Sequence, residues 1–210
     1  MKSRGKMYEI SFPPEGREGA ALIYHDARAD GLSCLSAVVR VLESGHPPEG
    51  FRIVIESGSG DIENGLVVVC PFSLLIVSAE IADALRAIRC LGAEFVKVPL
   101  VADNGEVVRR EFFLVWIQKI CDPLSEKSKI IKTGDGSTEI VFKAVLSRSK
   151  IPADVEMFRI REAGGKMVCS SSVRMALKPA IGNGLSVKSI EIDEGHLGAP
   201  IGARGQQAKG

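Results

Sequence analysis

The stretch EFVKVPLVADNGEVVRREFFLVWI, residues 94–117, decides the fold class of this chain. Its two ends are rich in β-branched and aromatic residues, which favour strands. Between them, Asn104-Gly105 supplies the two residues of positive φ that a tight type I′ hairpin turn needs. We therefore predict that residues 94–102 pair antiparallel with residues 106–117. Because FFLVWI, residues 112–117, has no polar alternation, we expect it to be covered on both faces.

Further segments of the same composition flank this hairpin on both sides. Each is short, rich in β-branched residues and bounded by Gly, Pro, Asp or Asn, so each is predicted to be a strand. They are AALIY (20–24), FRIVIE (51–56), LVVVC (66–70), EIVFKAVL (139–146), EMFRIR (156–161) and KMVC (166–169). Gly164-Gly165 joins the last two segments and predicts a second hairpin.

Two segments have the sequence marks of amphipathic helices. In SAEIADALRAIRCLG, Ser78 is a natural N-cap, Glu80 suits the first turn, and Gly92 is placed to end the helix. In SSSVRMALKPAIGNG the same devices recur from Ser170, and Pro179 is expected to end or distort the last turn. Apolar faces at helical spacing complete both patterns: Ile81, Ala84, Leu85 and Ile88 in the first, and Val173, Ala176 and Leu177 in the second.

The two helical segments share more than their type. Ser78-x-x-Ile81-x-x-Ala84-Leu85 and Ser170-x-x-Val173-x-x-Ala176-Leu177 match at a constant offset of 92 residues. Two related strand–helix–strand units would explain this match, and so would the capping and amphipathic rules that all such helices obey. Because strands outnumber helices and the readable turns are hairpins, we predict an α+β fold with a mainly antiparallel sheet and two principal helices.

Length and composition define the expected domain organisation and location. A chain of 210 residues, 45% hydrophobic and 25% charged, can bury one core, so we predict a single domain over residues 1–195, with a possible N-terminal subregion 1–69. Residues 196–210, rich in glycine and poor in apolar residues, are predicted to be a flexible tail. No apolar stretch is long enough to cross a bilayer, and the five cysteines are odd in number and far apart, which favours the cytoplasm.

The charge of the chain is unevenly distributed. Residues 1–105 carry 10 basic and 14 acidic residues, a net of −4, and residues 106–210 carry 17 and 12, a net of +5. Such polarity can steer a charged partner. The basic residues are scattered singly and only eleven residues are aromatic, whereas nucleic-acid binders cluster Lys and Arg or stack bases on aromatic rings. We therefore expect no nucleic-acid partner.

ICDPLSEKSKI, residues 120–130, gathers reactive groups directly after the apolar segment FFLVWI. In one interpretation Cys121 is the nucleophile of a hydrolase-like enzyme, and His25 or His46 comes near it in space as its base. In the other, which we favour, Cys121 ends the buried strand and Asp122 begins a turn at the end of a sheet. A carboxylate beside a thiol raises the thiol pKa, which disfavours the enzyme. The side chains then expected in solvent are Glu126, Lys127 and Lys129.

Metal and cofactor sites find little support in the sequence. His25-Asp26 has suitable ligand types, but a metal needs three or four ligands, and His46 and His196 lie in a Pro-rich turn and near the tail. SGSGD (57–61) and TGDGS (133–137) are glycine-rich, but neither has the frame of a P-loop or a dinucleotide-binding turn. We therefore expect neither a metal nor a nucleotide cofactor.

The order of several segments resembles that of a family of bacterial immunity proteins, the eleventh immunity family of polymorphic toxin systems, formerly a domain of unknown function. The likeness covers roughly residues 70–192. Asp122 with Ser128, and Phe158-Arg159, would hold two of the family's marks. The segments that carry it are LLIVSAEIADALRAI, EFVKVPLV, the strand ending in CDPLSEKS, MFRIREAGGKMVCSSSVRMAL and GLSVKSIE.

The resemblance implies a cytoplasmic protein without enzymatic activity that binds and neutralises a cognate toxin through an exposed patch. The expected contact surface includes residues 122–129, and its candidate contact residues are Asp122, Glu126, Lys127 and Lys129. Two alternatives stay open: a hydrolase-like enzyme centred on Cys121 or His25, and a regulatory module that associates with itself. For self-association, FFLVWI and LVVVC are the candidate sheet edges.

Overall fold

The fold is built from strands and a smaller number of helices. The computed structural model describes residues 5–11, 26–44, 46–55, 66–69, 74–132, 139–161, 163, 166–181 and 185–195. The strands are β1 Met7–Ser11, β2 Asp26–Arg28, β3 Arg52–Ile55, β4 Leu66–Val69, β5 Leu74–Ser78, β6 Ala93–Val98, β7 Leu100–Ala102, β8 Phe112–Ile117, β9 Ile120–Cys121, β10 Lys129–Lys132, β11 Glu139–Lys143, β12 Val145–Ser147, β13 Met157–Ile160, β14 Lys166–Ser170, β15 Ser186–Ser189 and β16 Glu191–Asp193. Most of their pairings are antiparallel, as predicted.

Three α-helices lie in the described residues, α1 Cys34–Ser44, α2 Ala79–Ala87 and α3 Ser171–Ala176. The expectation of two principal helices is therefore wrong, because the longest, α1, was not foreseen. Its valines favour strands in isolation. The helix forms because Ser33 caps it, its hydroxyl accepting a hydrogen bond from the Ser36 amide at 3.2 Å, and because Ala37 and Val41 bury an apolar face.

The predicted second helix has the expected cap, and the first ends earlier than expected. Ser170 accepts a hydrogen bond from the Val173 amide, and α3 gives way to a 3₁₀ turn, Lys178–Ala180, at Pro179. Ser78 stands at the N-cap position of α2 but makes no such bond. The residue of positive φ that closes α2 is Arg89, at 49°, and not Gly92. The Cys90 amide then donates to the Leu85 carbonyl at 3.1 Å, which satisfies the helix end.

The hairpin that decides the fold class forms as predicted along most of its length. β6 pairs antiparallel with β8, with Ala93 opposite Ile117 and Val98 opposite Phe112. The first strand breaks at Pro99, because proline has no amide hydrogen to continue the ladder. Beyond Pro99, β7 pairs instead with β3, in parallel and in a different sheet.

The turn of this hairpin differs from the predicted type I′. Gly105 has a φ of 88°, but Asn104 does not have a positive φ. The Gly105 amide donates to the Ala102 carbonyl at 2.8 Å, and the Ala102 amide donates to the Glu106 carbonyl at 2.7 Å. Asp103 therefore joins the loop, which has three residues and needs only one of positive φ.

FFLVWI lies at the centre of a sheet and is covered on both faces, as predicted. Strands β4, β5, β8 and β6 form this first sheet in that spatial order. Val115 and Ile117 point into one buried cluster, and Phe112 and Leu114 point into another. Because β8 is internal, it is not available as the self-associating edge that the sequence suggested, whereas β4 does lie at the edge of the described sheet.

A second sheet repeats the pairing of the first. Its order is β15, β1, β14, β13 and β9. In each sheet a hairpin, β4–β5 or β13–β14, precedes a helix, and the strand after the helix, β6 or β15, returns to the sheet. A further strand, β8 or β1, lies between the strands before and after the helix and is antiparallel to both. Equivalent residues occupy equivalent positions 92 apart: Val77 lies opposite Phe113 as Cys169 lies opposite Tyr8, and Lys97 lies opposite Phe113 as Ser189 lies opposite Tyr8.

The strand between the one before the helix and the one after it comes from a different part of the chain in each sheet. In the first sheet it is β8, which follows β6 and β7. In the second sheet it is β1, which precedes all other described strands and was not predicted as a strand. Helices α2 and α3 pack in one buried cluster that joins the two sheets, which includes Leu85, Val115, Met167 and Leu177. The core thus lies between the sheets, and further clusters cover their outer faces.

The outer faces also carry matching strand pairs. β3 lies between β2 and β7, with Ile53 opposite Ala27 and Leu100. β12 pairs in parallel with β16, with Leu146 opposite Ile192, and Leu146 also bridges to Leu124. We call β2 to β8, residues 26–117, the first unit, and β1 together with residues 120–193 the second unit. In the first unit, helix α1 lies between β2 and β3. In the second unit, the hairpin β10–β11 lies at the corresponding place, between Leu124 and β12.

Candidate binding surface

The predicted loop, residues 122–129, follows the second sheet and not the central strand of the first. β8 ends at Ile117, and the next two residues lead into β9, which pairs in parallel with β13. The Gln118 amide donates to the Gly92 carbonyl at 3.0 Å, which holds the chain where it leaves the first sheet. The expectation that Cys121 ends the strand FFLVWI is therefore wrong, although Cys121 does lead into a loop at a sheet end.

The backbone of this loop is bound to β12. The Pro123 carbonyl accepts from the Ser147 amide at 2.7 Å, and the Ser125 amide donates to the Val145 carbonyl at 2.8 Å. The Ser128 hydroxyl accepts from the Val145 amide at 3.0 Å and donates to the Val145 carbonyl at 2.9 Å. The loop is therefore held along much of its length, so that its exposed side chains project from a fixed backbone.

The side chain of Asp193, at the end of β16, also binds the loop. Its carboxylate accepts from the Ser125 hydroxyl at 2.7 Å and from the Lys127 ammonium at 2.7 Å. The bond from Lys127, which has the larger effect, and the bond from Ser125 lower the pKa of Asp193 from 3.8 to about 2. The same bond raises the pKa of Lys127. Asp193 lies 66 residues from Lys127, and no local sequence pattern pointed to it.

All four predicted contact residues are exposed. The Asp122 carboxylate accepts from the Arg161 guanidinium at 3.0 Å, across two side chains that both face solvent. Lys127 is held by Asp193, whereas Glu126 and Lys129 have no ion pair with another described residue. Two of the four side chains, those of Asp122 and Lys127, therefore form ion pairs with residues distant in sequence. All four lie exposed on one continuous stretch of the chain.

Cys121 does not have the surroundings of a nucleophile. Only 8% of it is exposed, and burial, together with the charge of Asp122, raises the pKa of its thiol despite the opposing charge of Lys119. His46 is exposed, and His25 lies outside the described residues. Cys90 and Cys169 are buried free thiols with the pKa raised by burial to about 12. The favoured interpretation of residues 120–130 as a structural loop agrees with these properties.

Several other predicted features lie outside the described residues: His196 and the tail, the strand AALIY, the glycine-rich segments 57–61 and 133–137, and Gly164-Gly165. The hairpin that Gly164-Gly165 was expected to close is present, since β13 pairs antiparallel with β14. Within the part of the chain that is described, no three His, Cys, Asp or Glu side chains come together as a metal site would require.

A scan against protein-family models finds no match to this chain, and a search of curated proteins finds no relative. Of the helices that the structure describes, none combines the length and the apolar character needed to cross a membrane.

Replacing Asp193 with Asn is expected to loosen the loop and to lower stability in a pH-dependent way. A carboxylate whose pKa is lowered on folding stabilises the folded state above its unfolded pKa, here about 3.8. That contribution is lost as the pH falls from about 4 to about 2. Urea unfolding midpoints of D193N and wild type should therefore differ at pH 7 and converge as the pH falls to about 2.

Asp83→Asn is the matched control for this experiment. Asp83 pairs with Arg86 on the exposed surface of α2 at 2.8 Å, and such pairs contribute little to stability. D83N should follow the wild type at every pH. A gap between D193N and wild type that persists unchanged at pH 2 would show that the Asp193 charge does not hold the loop.

Proposed function

We propose that this chain is a cytoplasmic immunity-type protein that neutralises a cognate bacterial toxin by direct contact. The contact surface includes residues 122–129, with Asp122, Glu126, Lys127 and Lys129 facing the toxin. The observation that carries the proposal is the fixed, exposed loop bound to β12 and Asp193. A charged surface held in one conformation loses little entropy on binding, and its charges steer the encounter.

The buried state of Cys121 favours this proposal over the hydrolase-like alternative. A nucleophilic cysteine needs access to substrate and a lowered pKa, whereas the Cys121 thiol is buried and its pKa is raised. The loop serine hydroxyls are also engaged, Ser125 with Asp193 and Ser128 with Val145. The groups in this segment thus act through structure and charge, which suits a binding surface.

The test is growth of a bacterial host that expresses the toxin-like C-terminal domain encoded next to this gene, with and without this chain. Rescue of growth together with a co-purifying complex is expected. If the neighbouring domain is harmless, or kills equally in both cultures, the proposed function fails.

Charge reversal at Asp122 tests the surface itself. Asp122→Lys places an ammonium beside Arg161, yet both side chains are exposed, so the effect on stability is about 0–1 kcal/mol. Rescue should weaken, and complex formation in a pull-down should fall at least tenfold, because a charge of the wrong sign now faces the partner. The same is expected of Lys129→Glu. The matched control Asp83→Lys, on α2, should rescue fully; equal rescue by D122K, K129E and D83K would exclude this surface.

We also infer that the α+β fold contains two related units. The support is the identical register of β5–β8–β6 and β14–β1–β15, which extends the 92-residue offset of the two helices to the strands before and after them. On the outer faces, Leu100 pairs with β3 and Ile192 pairs with the equivalent strand β12. These two residues are also 92 apart. Common capping rules explain two similar helices, but they do not dictate the pairing partners of five strands.

A further inference from the structure

The hairpin β10–β11 carries the most exposed large hydrophobic side chain of the described residues. Phe142 is 74% exposed, and Ile131, on the neighbouring strand, is 56% exposed. The hairpin begins at Lys129, where the candidate contact loop ends. Single exposed apolar residues are ordinary, but two on one small hairpin, continuous with a charged loop, form a patch that needs an explanation.

The backbone directs Phe142 outward. Lys129 lies opposite Lys143 and Ile130 lies opposite Val141, so Phe142 is the extra residue of a β-bulge. Bulges re-aim side chains and are common at functional edges. Val141, the preceding residue, is buried in the core of the second unit. The hairpin is therefore anchored by Val141 while the bulge presents Phe142 to solvent.

Ion pairs fix the hairpin and the loop to the same strand. Lys143 pairs with Glu191 at 2.7 Å, and Lys127 pairs with Asp193 at 2.7 Å. Glu191 and Asp193 both belong to β16. The apolar patch and residues 122–129 are therefore both joined to β16, so that one partner can contact the two together.

The first unit has a helix and not a hairpin at the matching place. There the chain between the strands of Ala27 and Ile53 forms α1, whose Ala37 and Val41 are fully buried. The second unit has instead a hairpin on which Ile131 and Phe142 are exposed. The apolar exposure therefore lies at a place where the two units differ in structure, which suits recognition better than folding.

We propose that Phe142 and Ile131 are the apolar anchor of the toxin contact, seated in an apolar pocket of the toxin that has a carboxylate on the side facing Lys129. This inference rests on the proposed function and names its central residues. The charge on that side of the pocket is inferred from Lys129, which is exposed and has no ion pair within the described part of the chain. A buried aromatic anchor with a charged rim is the usual arrangement of an energetic hot spot.

The test measures binding of purified variants to the toxin-like domain encoded next to the gene, by titration calorimetry. Phe142→Ala should raise the dissociation constant about thirtyfold or more, as truncation of an aromatic hot spot does. Lys129→Glu should raise the dissociation constant less and should reduce its dependence on salt concentration. Val107→Ala is the matched control, since Val107 is 62% exposed but lies in the first unit; its binding should equal that of the wild type.

The outcomes separate this inference from the function on which it rests. If the wild type binds and rescues growth but F142A binds equally well, the anchor is wrong and the proposed function stands. If the wild type does not bind at all, both fail. Sedimentation of the chain alone distinguishes a further occupant: a wild-type dimer that F142A converts to monomer would show that a second copy covers the patch, which overturns the proposal.

Discussion

A chain that lacks residues 1–11 is expected to lose its cooperative fold. β1 lies between β14 and β15 and pairs with both, four residues to each. Its removal leaves these strands without a common neighbour and exposes the core around Met7 and Ile10, which are almost fully buried. Burial of such side chains contributes about 1.5–3 kcal/mol each. With the lost backbone hydrogen bonds, the total approaches the ~5–15 kcal/mol by which ordinary domains are stable.

Restoring β1 at the other end of the second unit should recover the fold. In the first unit, residues 103–111 connect β7 to the central strand β8. The matching connection in the second unit would run from the end of β16 to the start of β1. These ends border one cavity of about 440 Å³, lined by Gly5, Lys6, Ile192 and Glu194 among others, so a short connection can span them.

The experiment compares three chains: the wild type, the deletion that starts at residue 12, and a circular permutant. The permutant starts at residue 12, runs to Gly195, and continues through a Gly/Ser linker of about five residues into residues 5–11, which makes this connection about as long as that of the first unit. Circular dichroism and urea unfolding should show a cooperative transition for the wild type and the permutant only. A deletion that unfolds as cooperatively as the wild type would show that β1 is dispensable.

The hairpin that contains β6 and β8 was predictable because its sequence signals are local. β-branched and aromatic runs flank an Asn-Gly pair, and together they indicate an antiparallel pairing whatever surrounds it. The type of turn was not predictable, since the inclusion of Asp103 depends on how Val101 meets Val107 across the strands. The break at Pro99 has a local cause, but the new partner of β7 is β3, almost fifty residues earlier in the chain.

β1 could not be predicted because its partners are distant. MYEIS is short and mixes polar with apolar residues, and Ile10 meets Met167 only in the folded chain. The same holds for the candidate surface. The exposure of Asp122 and Lys127 was predictable from the composition of the loop, whereas their partners Arg161 and Asp193 are 39 and 66 residues away. Pairings over such separations depend on the topology of the whole fold, which local propensity does not contain.

Gly92 marks the junction of the two sheets. Its carbonyl accepts from the Gln118 amide at the end of β8, and the carbonyl of the preceding residue, Leu91, accepts from the Glu156 amide before β13 at 3.1 Å. The φ of Gly92 is +96°, and a Cβ added there would lie 2.5 Å from the Met157 carbonyl oxygen and 2.8 Å from a methyl of Val155. Two backbones approach here so closely that only glycine fits between them.

Gly92→Ala is therefore expected to destabilise the fold by about 3 kcal/mol or more, the sum of an unfavourable φ and a displacement of the backbone of the second sheet. Gly105→Ala separates the two contributions. Its φ of +88° is similar, but no atom lies within 4 Å of the added Cβ, so it should cost only about 1–2 kcal/mol.

Urea unfolding at constant m-value measures the difference between these two variants directly. A larger loss for G92A locates the extra cost at the contact with Met157 and Val155, and so shows that the sheets are joined rigidly at this point. Equal losses would mean that the segment before β13 can move away from the new methyl group. In that case the two sheets are joined loosely here, and the core shared by α2 and α3 must hold them together.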